Sequence, residues 1–483
     1  MKRILFVLLS IITILPAKNY KTEKWQVKDM KFSPQQTVEV PLETTFGARL
    51  VHSDGQTLKV PGFYNGNNTW IIRFCPDKTG EWTFQTYSSL PELVGKSGKI
   101  IVKSNTKEDR HGPIKISQNN PKKFTYADGT PYFLTAFECD WLFALDAKNE
   151  NGLPKTKKMV KHIKENGFNQ IVMNVYAYDA GWGDKSKMDP KYLFAQPEVF
   201  PFGGTNENPD YSTLNIDFFK HLDRVITHLD EEEIISHLMI YVWNKKVNWP
   251  KPGSVADNMY FNYVVKRYQA FPNLIWDVSK EALAYGRDDM SYITERIERL
   301  RKLDGHGRLL SVHDYAYCDA YPDKVDFISI QEWRPNLYSV MRDVVEKHND
   351  KPVFNIEHGG YEKSMHMVFT GPAFNDPETC LDRNYQCIFA GTYSTYYWQN
   401  AAWYEVVYEP DQLTRNKQPN FHWYKNMIEF FEAHNFNQLE PYQSSFTPYC
   451  LTNNEDLYIF YATKMMERLT GDMQALKGKT VTI

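Results

Sequence analysis

The chain changes its hydrophobic rhythm twice. From about residue 18 to 105, apolar and polar positions alternate in short runs. "TVEVPLETTFGARLVH" and "LKVPGFYNG" lead into "TWIIRFCPDKTGEWTFQTYSS", and "GKIIVKS" closes the region. Gly, Pro and Asp clusters separate these runs. The "PDKTG" segment at 76–80 reads as a turn between two strands. Several short strands with such punctuation predict a β-sandwich over residues 18–105.

From about residue 130 the pattern becomes one of short apolar runs alternating with longer amphipathic ones. The short runs are 132–138, 169–178, 237–244, 273–279, 308–314, 325–333, 352–357 and 387–398, eight in all. Between most of them lie segments such as "KTKKMVKHIKENG", "IDFFKHLDRVITHLDEEE" and "MSYITERIERLRKL", in which apolar residues recur every three or four positions. A further helical segment, "FHWYKNMIEFFEAH", follows the eighth run, while the linker after the fifth is too short for a long helix. Eight strands alternating with helices predict a (β/α)₈ TIM barrel over 106–435. An open doubly wound sheet stands as the alternative, because hydropathy does not show closure. After residue 436 the chain is β-like again, and residues 436–483 read as a short, partial C-terminal β region. The expected fold is thus multidomain.

The first 17 residues, "MKRILFVLLSIITILPA", join a basic start at Lys2 and Arg3 to an apolar run too short to span a bilayer. They predict a signal peptide, with cleavage after Ala17 and a secreted or periplasmic protein. Leu15 stands where a small residue is preferred, and no Cys follows that would anchor a lipoprotein. No other membrane span is expected. Net charge is -3, from 56 Lys+Arg against 59 Asp+Glu, which gives no sign of a nucleic-acid partner. The six cysteines fit no zinc spacing. Only Cys380 and Cys387 are close enough in sequence for a local pairing, against buried free thiols as the alternative. Aromatic residues are abundant, with 31 Tyr, 29 Phe and 12 Trp. They suit a large core and also the flat apolar faces of sugar rings.

In a TIM barrel, functional residues lie where strands end at the C-terminal rim. The residues in that position are Asp140 and Trp141 after the first run, and Asn174, Tyr176 and then Trp182 at the second. Trp243 and Asn244 end the third. Lys280 and Glu281 follow the fourth, His313 ends the fifth, and Gln331, Glu332 and Trp333 end the sixth. Glu357 ends the seventh, and Trp398, Gln399 and Asn400 end the eighth. Glu281 and Glu357 sit on strands that face one another, so both can reach one cleft. Two carboxyl groups flanking a bond are what glycosidic cleavage requires: one protonates the leaving oxygen, the other attacks the sugar or activates water. Bland readings stay open for both. Glu281 suits the first turn of a helix capped by Ser279, and Glu357 suits a rim ion pair. Asp140, Trp141, Asn174, Tyr176, Trp243, Lys280, His313, Gln331 and Trp398 are candidate substrate-binding residues, with core packing as the alternative for the aromatics. No H-x-H or H-E-x-x-H pattern is present, so no metal or other cofactor is expected. Without G-x-S-x-G, "HGG" at 358–360 does not indicate a serine hydrolase.

"WDVSKE", ending at Glu281, resembles the W-x-x-x-N-E pattern on strand four of retaining clan A (β/α)₈ glycoside hydrolases. The wider layout resembles bacterial secreted glycoside hydrolases with an N-terminal sandwich domain of unknown function. "VPGFYNGNNTWIIRFCPDKTGEWTFQT" and "HGPIKI…FTYADGTPYFLTAFECDW" carry that likeness. Apiosidase-like and cellulase-like barrels are the nearest relatives it suggests. The resemblance implies Glu281 as acid/base, Glu357 as nucleophile, and a carbohydrate substrate. One position departs: the clan's Asn, which contacts a sugar hydroxyl, is Lys280. That lysine would either face an acidic or sulfated sugar or point away as a solvated helix-start residue. A non-catalytic carbohydrate-binding barrel and a polysaccharide lyase remain the alternatives.

Overall fold

In the computed structural model, residues 18–181, 184–286, 289–364, 375–398, 403–443 and 448–462 are described. The leader-like segment, Trp182, Gln399, Asn400 and the chain end lie outside them. The chain divides into two compact units, Met1–Thr106 and Lys107–Ile483.

The first unit is the expected sandwich. One sheet orders Lys18–Glu23, Ser97–Lys103, Gly80–Ser88, Phe46–His52 and Thr57–Pro61, and the other Lys28–Phe32, Trp70–Phe74 and Phe63–Tyr64. Alternation puts every second side chain inward, as in Ser97–Lys103, where Gly98, Ile100 and Val102 are buried between exposed neighbours. Phe32, Trp70 and Phe74 of the small sheet share a core with Phe46, Trp82 and Phe84 of the large one. Phe74 and Trp82 meet edge to face at 5.2 Å.

The second unit is a barrel. Its strands are β1 (Thr135–Glu138), β2 (Gln170–Asn174), β3 (Ile235–Val242), β4 (Leu274–Lys280), β5 (Leu310–His313), β6 (Ile328–Gln331), β7 (Val353–Glu357) and β8 (Tyr393–Trp398). They pair in parallel in the order 5-4-3-2-1-8-7-6, which leaves one seam, between β5 and β6. The seam is bridged where Ser311 Oγ donates to the Phe327 carbonyl at 2.8 Å and Asp326 N–H to the Leu310 carbonyl at 2.9 Å. The sheet is thus a nearly closed barrel and not an open doubly wound one. Strands buried on both faces explain the continuous apolar runs, β3 being buried at all eight positions.

Among the described residues the α-helices are α1 (Pro154–Glu165), α2 (Ile216–Glu231), α3 (Val255–Tyr268), α4 (Met290–Leu303), α5 (Tyr315–Ala320), α6 (Leu337–Lys347), α7 (Pro377–Phe389) and α8 (Phe421–Ala433). Side chains of Asn215, Ser254, Asp289 and Asp376 cap α2, α3, α4 and α7 by accepting from backbone N–H groups. The apolar run 387–398 proves to be two elements. Cys387–Phe389 is the last turn of α7, and the chain reverses at Gly391, φ +89°, before β8 starts. All six cysteines are free and buried, so the Cys380–Cys387 pairing does not form. Both lie on α7. At the C-terminal end, Glu440–Pro441, Cys450–Thr452 and Tyr458–Phe460 make a small antiparallel sheet, against which Tyr385 of α7 stacks through Tyr461 at 4.6 Å. No described helix is long and apolar enough to cross a membrane.

Candidate active site

At the C-terminal rim lies a cavity of about 300 Å³. Strand β1 supplies Glu138 and Asp140; β3 and its loop supply Asn244 and Lys245. Lys280, Glu281 and Tyr285 come from β4, Gln331 and Trp333 from β6, Glu357 and Tyr361 from β7, and Tyr397 and Trp403 from β8 and beyond.

Glu281 and Glu357 both face this space. One carboxylate oxygen of each, and one ring nitrogen of His313, lie within 4.8 Å of one another. Glu281 is not in a helix. It follows the last residue of β4 with φ +59°, a conformation that L-residues occupy at a cost. The backbone is held there from two sides: Glu281 N–H donates to the His313 carbonyl at 3.3 Å, and Ala282 N–H to Asp314 Oδ2 at 2.9 Å. Register between β4 and β5 shifts after Asp277, whose Oδ1 accepts from the N–H groups of Ser279 and His313, each at 3.1 Å. Such an irregularity re-aims the side chains beyond it. The helix-cap reading of Ser279 therefore fails, since α4 begins at Met290 under the Asp289 cap.

Glu357 is 6 % exposed. The Tyr361 hydroxyl donates to its Oε1, and Lys280 Nζ stands 3.2 Å from its Oε2. Beyond it, Gly359 takes φ +77°, and a Cβ there would lie 2.9 Å from Cγ of Trp333. Glycine is required both for the turn and for the indole that packs on it. Arg383 of α7 ties the neighbouring strand ends together, donating to the carbonyls of His358 at 2.6 Å and Glu332 at 3.1 Å.

Among the described residues, four carboxyl groups and two lysines share the pocket. Lys245 Nζ pairs with Asp140 at 2.9 Å, and Lys280 Nζ with Glu138 at 2.9 Å. Burial pushes Asp140 up, but Lys245 and Lys280 outweigh it and hold the carboxyl below its usual range. Burial keeps Glu138 well above that range in spite of Lys280. Burial and then the Glu357 charge push Glu281 up, against the pull of Lys280 and Lys245. A raised carboxyl holds its proton to higher pH, the direction a general acid needs. Burial and the adjacent Lys280 hold His313 well below 6.5, so its ring is neutral at pH 7. The Glu281–His313–Glu357 trio is compact enough to suggest a cation, but the ammonium of Lys280 already lies against Glu357 and supplies that charge from the protein itself.

Among the residues singled out from sequence, Asp140, Lys280, Glu281, Gln331 and Glu357 line the cavity. His313 supports it from beneath, its Nε2 3.2 Å from Gln331 Oε1 and 3.7 Å from Glu357 Oε2. Trp141 is fully buried under the Lys245 ammonium, 5.2 Å from the ring centre. Asn174 is buried in the barrel. Tyr176 packs among Phe143, Phe200 and Phe218. Trp243 is half-buried and stacks on Tyr241, and Trp398 is buried against Phe421. None of these five is among the described residues of the cavity wall. Lys280 is 2 % exposed and neither solvated nor at a helix start. Its charge is matched by carboxylates, which removes the argument for an acidic or sulfated sugar. Glu138, Lys245, Tyr285, Tyr361, Tyr397 and Trp403 went unread. For Glu138 a signal existed: with Asp140 it forms an i, i+2 acidic pair on one face of a strand end.

Residues 118–440 match the Apiosidase-like catalytic domain family, and residues 21–89 match a domain of unknown function, DUF5060. A crystal structure from Bacteroides vulgatus, provisionally named a glycoside hydrolase, superposes with a TM-score of 0.73 at 21% identity, covering 91% of this chain and 83% of that one. A family 5 glycoside hydrolase of the same organism gives 0.46 at 14% identity, over 71% and 77%. A family 5 mannosidase from Rhizomucor miehei gives 0.47 at 13%, over 67% and 99%. No curated protein matches the chain. At these identities the structural likeness is one of fold. The family match is the firmer result, because it spans two thirds of the chain and all eight barrel strands: the protein belongs to the Apiosidase-like family of catalytic domains.

Proposed function

We propose that the protein is a retaining glycoside hydrolase acting on a polysaccharide or an oligosaccharide derived from one, with Glu281 as acid/base and Glu357 as nucleophile. The observation that carries this reading is the approach of their carboxylate oxygens to within 4.8 Å across a rim cavity. Retaining enzymes hold the two groups about 5–5.5 Å apart, and inverting enzymes leave roughly 6.5–9.5 Å for a water. In the first step Glu357 attacks the anomeric carbon. The bond to the leaving oxygen breaks with its electron pair going to that oxygen, which takes the Glu281 proton. In the second step Glu281 draws a proton from water, the water oxygen bonds to the anomeric carbon, and the Glu357 ester bond breaks. Trp333, Trp403, Tyr285 and Tyr397 in the wall suit the apolar faces of sugar rings. The leader-like segment supports action outside the cytoplasm on plant or algal glycans.

Glu281→Gln and Glu357→Gln are the test, assayed on a glycan panel with the product anomer followed by NMR. Each is expected to lower turnover by about 10²–10⁴-fold or more. Azide is expected to rescue Glu357→Gly on an activated aryl glycoside. Near wild-type activity in both Gln variants, or an inverted product, refutes the assignment.

A further inference from the structure

Lys280 ends β4, yet its side chain does not serve its own rim. It crosses the barrel mouth to Glu138 on β1, with Nζ 2.9 Å from Glu138 Oε1 and 3.2 Å from Glu357 Oε2. The lysine is 2 % exposed and Glu138 1 %. The ammonium donates a hydrogen bond to Glu138 Oε1, and Glu357 Oε2 lies within ion-pairing distance of it. Burial works against the charge, but Asp140, Glu138, Glu357 and Glu281 together hold the ammonium well above its usual range.

We infer that Lys280, tethered by Glu138, is a positioning residue for the nucleophile: it is the fixed counter-charge of the Glu357 carboxylate and not a sugar-binding group. The inference rests on the reading of Glu357 as the nucleophile. Its chemical consequence lies in both half-reactions. When Glu357 forms the glycosyl ester, its negative charge leaves the ion pair, and Glu281, having given up its proton, becomes the new carboxylate nearby. When the ester breaks, the electron pair returns to Glu357 beside a waiting cation. Lys280 thus makes Glu357 a better leaving group in the second step and a slightly weaker nucleophile in the first.

Among the described residues, the titratable and charged groups around Glu357 come from several elements. Lys280 and Glu281 come from the end of β4, and His313 from β5, neutral at pH 7. Tyr361 follows β7. Glu138, Asp140 and Lys245 reach it only through the Lys280 network or from further round the rim. Among the described residues, Lys280 is the cation paired directly with it.

The experiment reads Glu357 without needing a substrate. Crystal structures of the wild type, Lys280→Met and Lys280→Arg locate the Glu357 carboxylate relative to Glu281. In Lys280→Met the Glu357 side chain is expected to leave the position it holds beside Glu281, while Lys280→Arg is expected to keep it there. If Lys280→Met does not fold, Lys280→Gln, which keeps a donor but not the charge, carries the same expectation. On an aryl glycoside, loss of the charge is expected to lower kcat more than kcat/KM and to produce a burst of released phenol. A Glu357 carboxylate that stays in place in Lys280→Met, or kcat and kcat/KM that fall together, overturns the inference. Failure of the glycosidase reading shows separately, as a wild-type protein that cleaves no glycan while its Glu357 side chain still moves when Lys280 is replaced.

Discussion

Gly359 is where backbone, packing and the cavity wall meet, and Gly359→Ala tests the link. Two costs follow from the structure. At φ +77° an alanine Cβ crowds its own backbone, a penalty of roughly 1–2 kcal/mol. The same Cβ would lie 2.9 Å from Cγ and 3.2 Å from Cβ of Trp333, and overpacking of that kind costs about 1–3 kcal/mol. Together they give about 2–5 kcal/mol. The unit that bears the change, Lys107–Ile483, has an unfolding entropy of about 0.8 kcal/mol/K near 60 °C at ordinary per-residue values. The expected drop in unfolding midpoint is therefore about 3–6 °C. Trp333 lines the cavity, so the indole shift is expected to lower kcat/KM as well. Differential scanning calorimetry and turnover on the glycan found for the wild type are the assays. A midpoint within ~1 °C of wild type, with unchanged turnover, would refute the claim that this position requires glycine.

Stability should depend on pH from both sides. Burial pushes Asp314 up to about 8; the folded state then holds a proton that the unfolded chain releases near pH 4. Stability falls as pH rises from about 4 to about 8, and Asp314→Asn flattens that limb. Burial, then Arg383, hold His358 down to about 3, so stability also falls as pH drops below 6.5 and levels near 3. Chemical denaturation at a series of pH values checks both limbs, and a flat profile refutes them. Because all six thiols are free and buried, dithiothreitol is expected to leave the unfolding midpoint unchanged. A clear drop would reveal a disulfide.

Much of this architecture is written locally. Residues 290–303 repeat their apolar positions at helical spacing, and the helix has those bounds. The runs at 237–244 and 352–357 are short and largely apolar, and they become β3 and β7. Glu281 and Glu357 were legible because each ends an apolar run at the rim where a barrel places its chemistry. Where one apolar run held two elements, as at 387–398, hydropathy merged them. Composition is equally blind to direction. Trp398 and Tyr176 face the core, while Trp403 and Tyr285 face the cavity, and all four are aromatic residues near strand ends.

What the sequence by itself determined is the order of elements, the sandwich ahead of the barrel, and two acids at the ends of strands four and seven. Only the tertiary structure decided that Lys280 reaches Glu138, 142 residues away, and lies against Glu357. Hydrophobic periodicity reports on neighbours two to four positions apart. Ion pairing inside a barrel depends instead on which strand ends meet across its mouth, and that is settled by closure of the sheet, a property of all eight strands at once.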